Sequence, residues 1–379
     1  MSALPRRSEV IAAFQQQGGS VAAVFPIHYP RALLRAFDIL PVEVWGPPRV
    51  DTSYGAAHLQ ANICSIVRNG LSFLLSGGLE VADVLVVPHA CDSLQGLGSI
   101  LTDLITSRQT VVPIYLPRGR RESDVDFLAE EFRFIYHSLE TITGRAPTDD
   151  QLLACIRREE EADSLLSELH RNGSSIALAD GDFYRLIRAR EYLPAETFTE
   201  LAREALKPEE SPSGPQAAGS RASNLSGDGE GRGDRRTPIV LSGIVPEPMD
   251  LLRSISDMGA TVVADDLACC GRRLYPPGTG EEPFRRMAER LIDAPPDPTR
   301  GSPIGDRLKH LRDLAKMSGA RGVVFYDVKF CDPELFDLPI LSEGLDQAGI
   351  PSLAVEVDIS DPLPYQVLTR MEAFLEMIR

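Results

Sequence analysis

Val84-Leu85-Val86-Val87-Pro88-His89-Ala90-Cys91-Asp92-Ser93 and, in the other half of the chain, Val323-Val324-Phe325-Tyr326-Asp327-Val328-Lys329-Phe330-Cys331-Asp332-Pro333-Glu334 share one reading. Each begins as a continuous apolar, β-branched run of the kind that forms a fully buried strand. Each then passes through a cysteine into an Asp suited to capping a helix, and Pro333 suits the first helical turn. A buried strand that turns into a helix is half of a βαβ unit, so both halves point to parallel sheet covered by helices.

Working outward, the same alternation continues. Strands are expected at 20–26, 42–45 and 111–116, with helices at 31–37, 57–75 and 93–105. From 124 to 206 the pattern is helical, broken at 144–147 and 172–173. The C-terminal part repeats the scheme with strands at 238–241, 260–264, 322–326 and 352–355. Its helices are expected at 248–257, 304–318, 333–347 and 364–378, and Pro-rich loops lie around 276–280 and 294–303. Between the parts, 207–236 is almost all Gly, Ser, Pro, Ala and charge, with Leu225 its only large apolar residue. Such a segment cannot bury enough surface to offset its ordering entropy and reads as a flexible insert. The expected architecture is α/β, with two doubly wound, Rossmann-like domains of parallel sheets. They span 1–206, with a helical extension, and 238–379, joined by an insert at 207–237. No residue-level repeat is found, but the two parts share a plan of elements.

Composition narrows the partners. The 379 residues suggest two or three domains at roughly 150 each. Lys and Arg total 39 against 55 Asp and Glu, a net charge of −16, which disfavours nonspecific binding to nucleic acid or anionic membrane. No stretch approaches the ~18 apolar residues of a membrane helix, and the run at 11–14 is too short for a signal-peptide core. A cytoplasmic location is expected, where structural disulfides are rare. The six cysteines, at 64, 91, 155, 269, 270 and 331, form no CxxC pair, which weakens zinc-ribbon and thioredoxin readings.

In open α/β sheets, ligands bind beyond the carboxyl ends of the strands. Cys91 and Cys331 fall there in equivalent positions, and a helix N-terminus favours the thiolate form that binds metal. A free cysteine is otherwise a small buried hydrophobe, and Cys155, inside a helix, is read that way. Cys64, near the start of the 57–75 helix, can face the same crevice. Three thiolates from two domains suit an iron–sulfur cluster with one iron open to substrate. Of Cys269 and Cys270, at most one lines the site or supports extra iron. His28 and His89 border the crevice as proton donors or are hydrogen-bonded structural histidines. Arg120 and Arg121, with Arg118, and the pair Arg272-Arg273 either bind coenzyme A phosphates or are solvated surface. The run 157–161 (RREEE) reads as the wet face of a helix.

Taken in order, 29–43 (YPRALLRAFDILPVE), Cys64-Ser65, Cys91-Asp92, 265–275 (DDLACCGRRLY), Phe330-Cys331-Asp332-Pro333 and 366–377 (QVLTRMEAFLEM) resemble the D-component family of 2-hydroxyacyl-CoA dehydratases. That family also contains subunits of ATP-dependent benzoyl-CoA reductases, and the resemblance spans nearly the whole chain outside 207–236. It implies a 4Fe–4S cluster held by Cys64, Cys91 and Cys331, a homologous second subunit, and a separate ATP-hydrolysing iron–sulfur activator. It further implies an acyl-CoA or aryl-CoA thioester substrate whose carbonyl accepts one electron, becomes a ketyl radical and expels the hydroxyl. The chain departs from the family where Arg31-Ala32 replaces an acidic residue and Asp38 replaces a glycine. No Walker A, GxGxxG or HExxH motif is present, so ATP falls to the partner. Besides a dehydratase, the sequence admits a benzoyl-CoA-type or homodimeric low-potential iron–sulfur reductase, or a non-catalytic electron-relay or scaffold subunit.

Overall fold

The computed structural model describes residues 4–176, 178–207 and 236–379; the rest of the 207–236 insert lies outside the described residues. Arg7–Gln16 (α1) leads into Ser20–Val24 (β1), Arg31–Ala36 (α2) and Ile39–Glu43 (β2). Ser53–Ala56 (α3) and Ser65–Leu75 (α4) precede Val84–His89 (β3), Asp92–Ser99 (α5) and Thr110–Tyr115 (β4). Four helices follow: Glu122–Thr143 (α6), Asp149–Asn172 (α7), Asp180–Arg188 (α8) and Ala195–Leu206 (α9). The second half contains Thr237–Gly243 (β5), Asp250–Asp257 (α10), Ala260–Leu267 (β6), Pro283–Ile292 (α11) and Ile304–Ser318 (α12). It ends with Gly322–Val328 (β7), Asp332–Gln347 (α13), Ser352–Val357 (β8) and Tyr365–Ile378 (α14).

These elements form an α/β fold with two four-stranded, all-parallel sheets. Their orders are β2-β1-β3-β4 and β6-β5-β7-β8, so β5 to β8 take the places of β1 to β4. The strands alternate their buried residues between two faces. Val21, Ala23 and Phe25 face one way and Ala22 and Val24 the other. The first set joins Leu241, Val324 and Tyr326 of the second sheet in one continuous apolar cluster, so the sheets share an inner core. Each sheet also has its own outer core, under α2, α6 and α7 on the first and under α12 and α13 on the second.

Several elements differ from the sequence expectations, for local reasons. The expected helix at 57–75 starts only at Ser65, because α3 folds back on α4 and Gly55 N–H donates to Ser72 Oγ at 2.9 Å. The expected helix at 93–105 ends at Ser99 and continues as one π-turn, Ile100–Leu104, where Thr102 Oγ1 donates to Gly98 O. Helix α11 is an addition, lying between the two expected Pro-rich loops. Its apolar residues at 284, 287, 288 and 291 have helical spacing, and Glu282 caps it by accepting from Arg285 N at 2.7 Å. Through Phe284, Met287 and Leu291, α11 packs on Leu128 and Phe132 in the outer core of the first sheet. The charged run on α7 is also only partly wet. Glu159 is buried against Arg190 and Arg31, and Glu160 accepts from Nε and Nη2 along one edge of the Arg286 guanidinium. Among the described residues, no helix is long and apolar enough to cross a membrane.

Candidate active site

In each sheet the order reverses beside β1 or β5, which makes a switch point where adjacent loops diverge. The two switch points meet at one apolar cavity. Pro26 and Ile27 come from the loop after β1, Cys91 from the end of β3, Ile244 from the loop after β5, and Cys331 from the end of β7. Cys64 closes the same cavity with Ile66 and Val67 of α4. The three cysteines expected to converge therefore do so, with contributions from both halves.

Each of the three is the N-cap of its helix: Cys64 of α4, Cys91 of α5 and Cys331 of α13. The sequence suggests Asp92 and Asp332 for that position; both instead occupy the first helical turn. The consequence is chemical, because the positive ends of three helices surround the sulfurs. The backbone N–H groups of Ile66 and Val67 lie toward Cys64 and those of Leu94 and Ser93 toward Cys91, and both sets favour the thiolate without closing a side-chain cap bond. The start of α4 is fixed from the other half of the molecule. Ser65 N donates to Lys329 O at 3.3 Å, Arg68 pairs with Asp358 at 2.5 Å, and Ser360 Oγ donates to Asn69 Oδ1 at 2.7 Å.

The thiols are unequal. The Cys331 thiol donates to Cys64, which holds Cys64 below the ordinary thiol range and pushes Cys331 well above it. Burial raises Cys91 to about 12. With Trp45, Leu94 and Ala268 also in the lining, the surroundings are too apolar for three thiolates without a cationic guest. Among the described residues, no group of three His, Cys, Asp or Glu has the spacing of a single-ion site. A cluster takes one thiolate per iron over a wider span, and an all-thiol donor set in an apolar cavity at three helix N-termini fits such a group.

The histidines lie behind this lining. His28 is fully buried with positive φ, and its Nε2 is 4.0 Å from Asp297 Oδ1, too far for a direct hydrogen bond. Burial lowers its pKa, while the Asp297 carboxylate pulls the other way. Burial works against the Asp297 carboxylate, but His28, Arg272 and Thr299 together hold it well below the usual range. Thr299, whose N–H donates to Asp297 at 2.7 Å, itself lines the cavity. Nothing in the local sequence of the 294–303 loop marks that placement. His89 packs edge-on against Tyr115, with ring centroids 4.7 Å apart, and does not line the cavity.

The arginines separate into two groups. Arg272 is fully buried, and all three of its guanidinium nitrogens are engaged by Asp266 and Glu334. Arg273 is buried against Glu43. Both are committed to carboxylates away from solvent, so neither is open to a phosphate. Arg120 donates to Ala294 O at 2.9 Å, and Arg121, 79% exposed, holds Asp124. Cys269 and Cys270 are buried with their sulfurs 3.3 Å apart and stay outside the lining, although Ala268 beside them is part of it. Cys155 packs in the outer core of the first sheet.

The family model of the 2-hydroxyglutaryl-CoA dehydratase D-component matches residues 26–378. The chain belongs to this family. Named relatives of this dehydratase family member are enzyme subunits. The (R)-phenyllactyl-CoA dehydratase beta subunit of Clostridium sporogenes is 25% identical over 369 residues, covering 96% of this chain and 93% of that one. The (R)-2-hydroxyglutaryl-CoA dehydratase subunit beta of Acidaminococcus fermentans is 24% identical over 386 residues, covering 100% and 97%. A benzoyl-CoA reductase subunit of Thauera aromatica is 25% identical over 345 residues, covering 88% and 84%. The chain's two departures from the family pattern have structural accounts. Asp38 has φ +60, the left-handed region where glycine is favoured and Asp tolerated, and Arg145 reaches its carboxylate. Arg31 is buried and donates to Tyr29 Oη and Leu193 O, both at 2.8 Å.

Proposed function

We propose that the chain is the iron–sulfur subunit of a 2-hydroxyacyl-CoA dehydratase-like enzyme, in which Cys64, Cys91 and Cys331 hold a 4Fe–4S cluster. The reaction would be a ketyl-type radical dehydration of an acyl-CoA thioester after one-electron activation. The carrying observation is the convergence of three cysteines, each at the N-terminus of a helix and drawn from both halves, on one apolar cavity, in a chain of this family. When bound, such a cluster supplies low-potential one-electron chemistry and an iron position open to a substrate oxygen.

The chain's own residues do the rest. The helix N-termini offset the thiolate charge, and Ile27, Trp45 and Leu94 keep water from the reacting group. His28 is the better-placed proton carrier, next to Ile27 in the lining and facing the Asp297 carboxylate, while His89 is held against Tyr115. Arg120 and Arg121, at the carboxyl end of β4, are the arginines left for coenzyme A phosphates. A homologous second subunit and an ATP-hydrolysing iron–sulfur activator complete the reading, supported by relatives named as beta subunits and by the lack of an ATP motif in the sequence. Six unpaired cysteines and the acidic balance support a reducing, cytoplasmic setting without nucleic acid or membrane partners.

The benzoyl-CoA reductase relative favours a second reading, reduction of an aryl-CoA. The assembled enzyme with its activator decides between them. Anaerobic, ATP-dependent formation of 2-enoyl-CoA from a 2-hydroxyacyl-CoA, lost in Cys91→Ser, supports the dehydratase. Reduction of benzoyl-CoA with no dehydration supports the reductase, and neither activity in the wild-type assembly would refute both.

A further inference from the structure

A small cavity lies where α2 and α7 of the first half meet α11 and the 273–275 segment of the second. It measures about 30 Å³, the share of one water molecule in the liquid. Arg31, Arg190, Arg273 and Arg290 line it, and all four are buried. Among the lining residues Tyr275 alone is not buried, so the way out passes its ring.

The carboxylates around these guanidinium groups fall one short. Glu43 pairs with Arg273 and lies 3.8 Å from Arg31. Glu159 pairs with Arg190 and lies 3.3 Å from Arg31, while Asp163 holds Arg190 at 2.9 Å and Arg290 at 2.6 Å. Four arginines thus share three carboxylates. The next carboxylates outward do not close the gap, because Arg286 holds Glu160, and Arg7 and Arg188 hold Glu191. Arginine stays protonated, so one positive charge is left buried, and an uncompensated buried charge is costly. Hydrogen bonding shows the same surplus, because Arg190 Nη1 is buried with no hydrogen-bond partner. A water molecule could accept that hydrogen, but only an anion also offsets the charge.

We infer that this cavity is a binding site for one small monovalent inorganic anion of chloride size. The volume suits a single atomic ion rather than a phosphate or an organic acid, and one negative charge completes the count. The site stands apart from the cysteines and does not rest on the function proposed above. Its lining comes from both halves, so the bound ion braces α11 against α2 and α7. The chain's net charge of −16 disfavours anions elsewhere on the surface, which makes a saturable halide response specific to this cavity.

The test takes the full chain, purified anaerobically without halide, and replaces sodium gluconate by sodium chloride at constant ionic strength. Chloride NMR line broadening and thermal unfolding are followed together. Wild type should broaden the chloride line saturably, lose that broadening to bromide, and melt at a higher temperature in either halide than in gluconate. Tyr275→Glu sets a carboxylate at the cavity and should weaken chloride binding at least about tenfold, while the neutral Tyr275→Gln should keep it. Anomalous diffraction from a bromide-exchanged crystal, which needs no variant, should place the ion within hydrogen-bond reach of Arg190 Nη1. No saturable broadening by wild type would leave water as the occupant and overturn the inference. So would a melting temperature that follows ionic strength alone, binding that Tyr275→Glu and Tyr275→Gln affect equally, or a bromide found only elsewhere.

Discussion

Asp327 lies on the face of β7 that carries Val323 and Phe325, with Arg307 and Glu334 among its neighbours. Burial, and then the Glu334 charge, raise its carboxyl to about 8. Between the unfolded value of about 4 and the folded value, the native state binds the extra proton, so stability falls as pH rises through that window. Asp327→Asn should therefore be more stable than wild type at pH 8, by on the order of a few kcal/mol, with the gap closing toward pH 4. Thermal unfolding across that pH series checks this, and a pH-independent gap would contradict it. Arg272 makes the complementary case. Arg272→Met leaves the buried Asp266 and Glu334 to share Arg307, 3.8 and 2.8 Å away, as their remaining arginine and should cost roughly 3 kcal/mol in denaturant unfolding. Residues of this kind are hard to read from sequence. Arg272-Arg273 looks like a basic surface run because its partner Glu334 lies 62 residues away. Cys91 and Cys331 are legible because a strand, a cysteine and an Asp stand together at the point where a helix begins.

At the scale of elements, the eight strands among the described residues are recognisable from their apolar runs, with β2 at Ile39–Glu43 starting three residues before the expected 42–45. Fully buried parallel strands need no alternation, and each run is bounded by turn residues. Helix starts are less legible. The start of α4 depends on α3 folding back against it, a contact absent from the local pattern, and it moves Cys64 from inside a helix to its cap. Helix α11 is obscured because three arginines interrupt its apolar stripe and Pro-rich loops flank it. One strand end carries a sharp prediction. Gly243, the last residue of β5 and next to the switch point, has φ +144, and an added Cβ would stand 2.2 Å from Tyr326 O. Gly243→Ala must therefore part β5 from β7, and should cost on the order of a few kcal/mol and lower the melting temperature measured by circular dichroism. A melting temperature unchanged from wild type would rule out that crowding.

Across the whole molecule, the pseudo-repeat of sheet order is visible in the sequence as a shared plan of elements, but the sharing of one inner core is not. That core, the crossing of α11 onto the first sheet, and the bond from Arg68 to Asp358 tie the halves together around the cysteines. The proposed centre therefore requires the complete fold, because each half supplies only part of the thiol set. The direct test is anaerobic reconstitution with iron and sulfide, followed by iron and acid-labile sulfide analysis of wild type and single-cysteine variants. The account predicts about four irons in wild type, in Cys155→Ser and in Cys269→Ser, and their joint loss in each of Cys64→Ser, Cys91→Ser and Cys331→Ser with folding intact. A folded wild-type chain that takes up no iron, or full iron retained in any one of those last three variants, would contradict it.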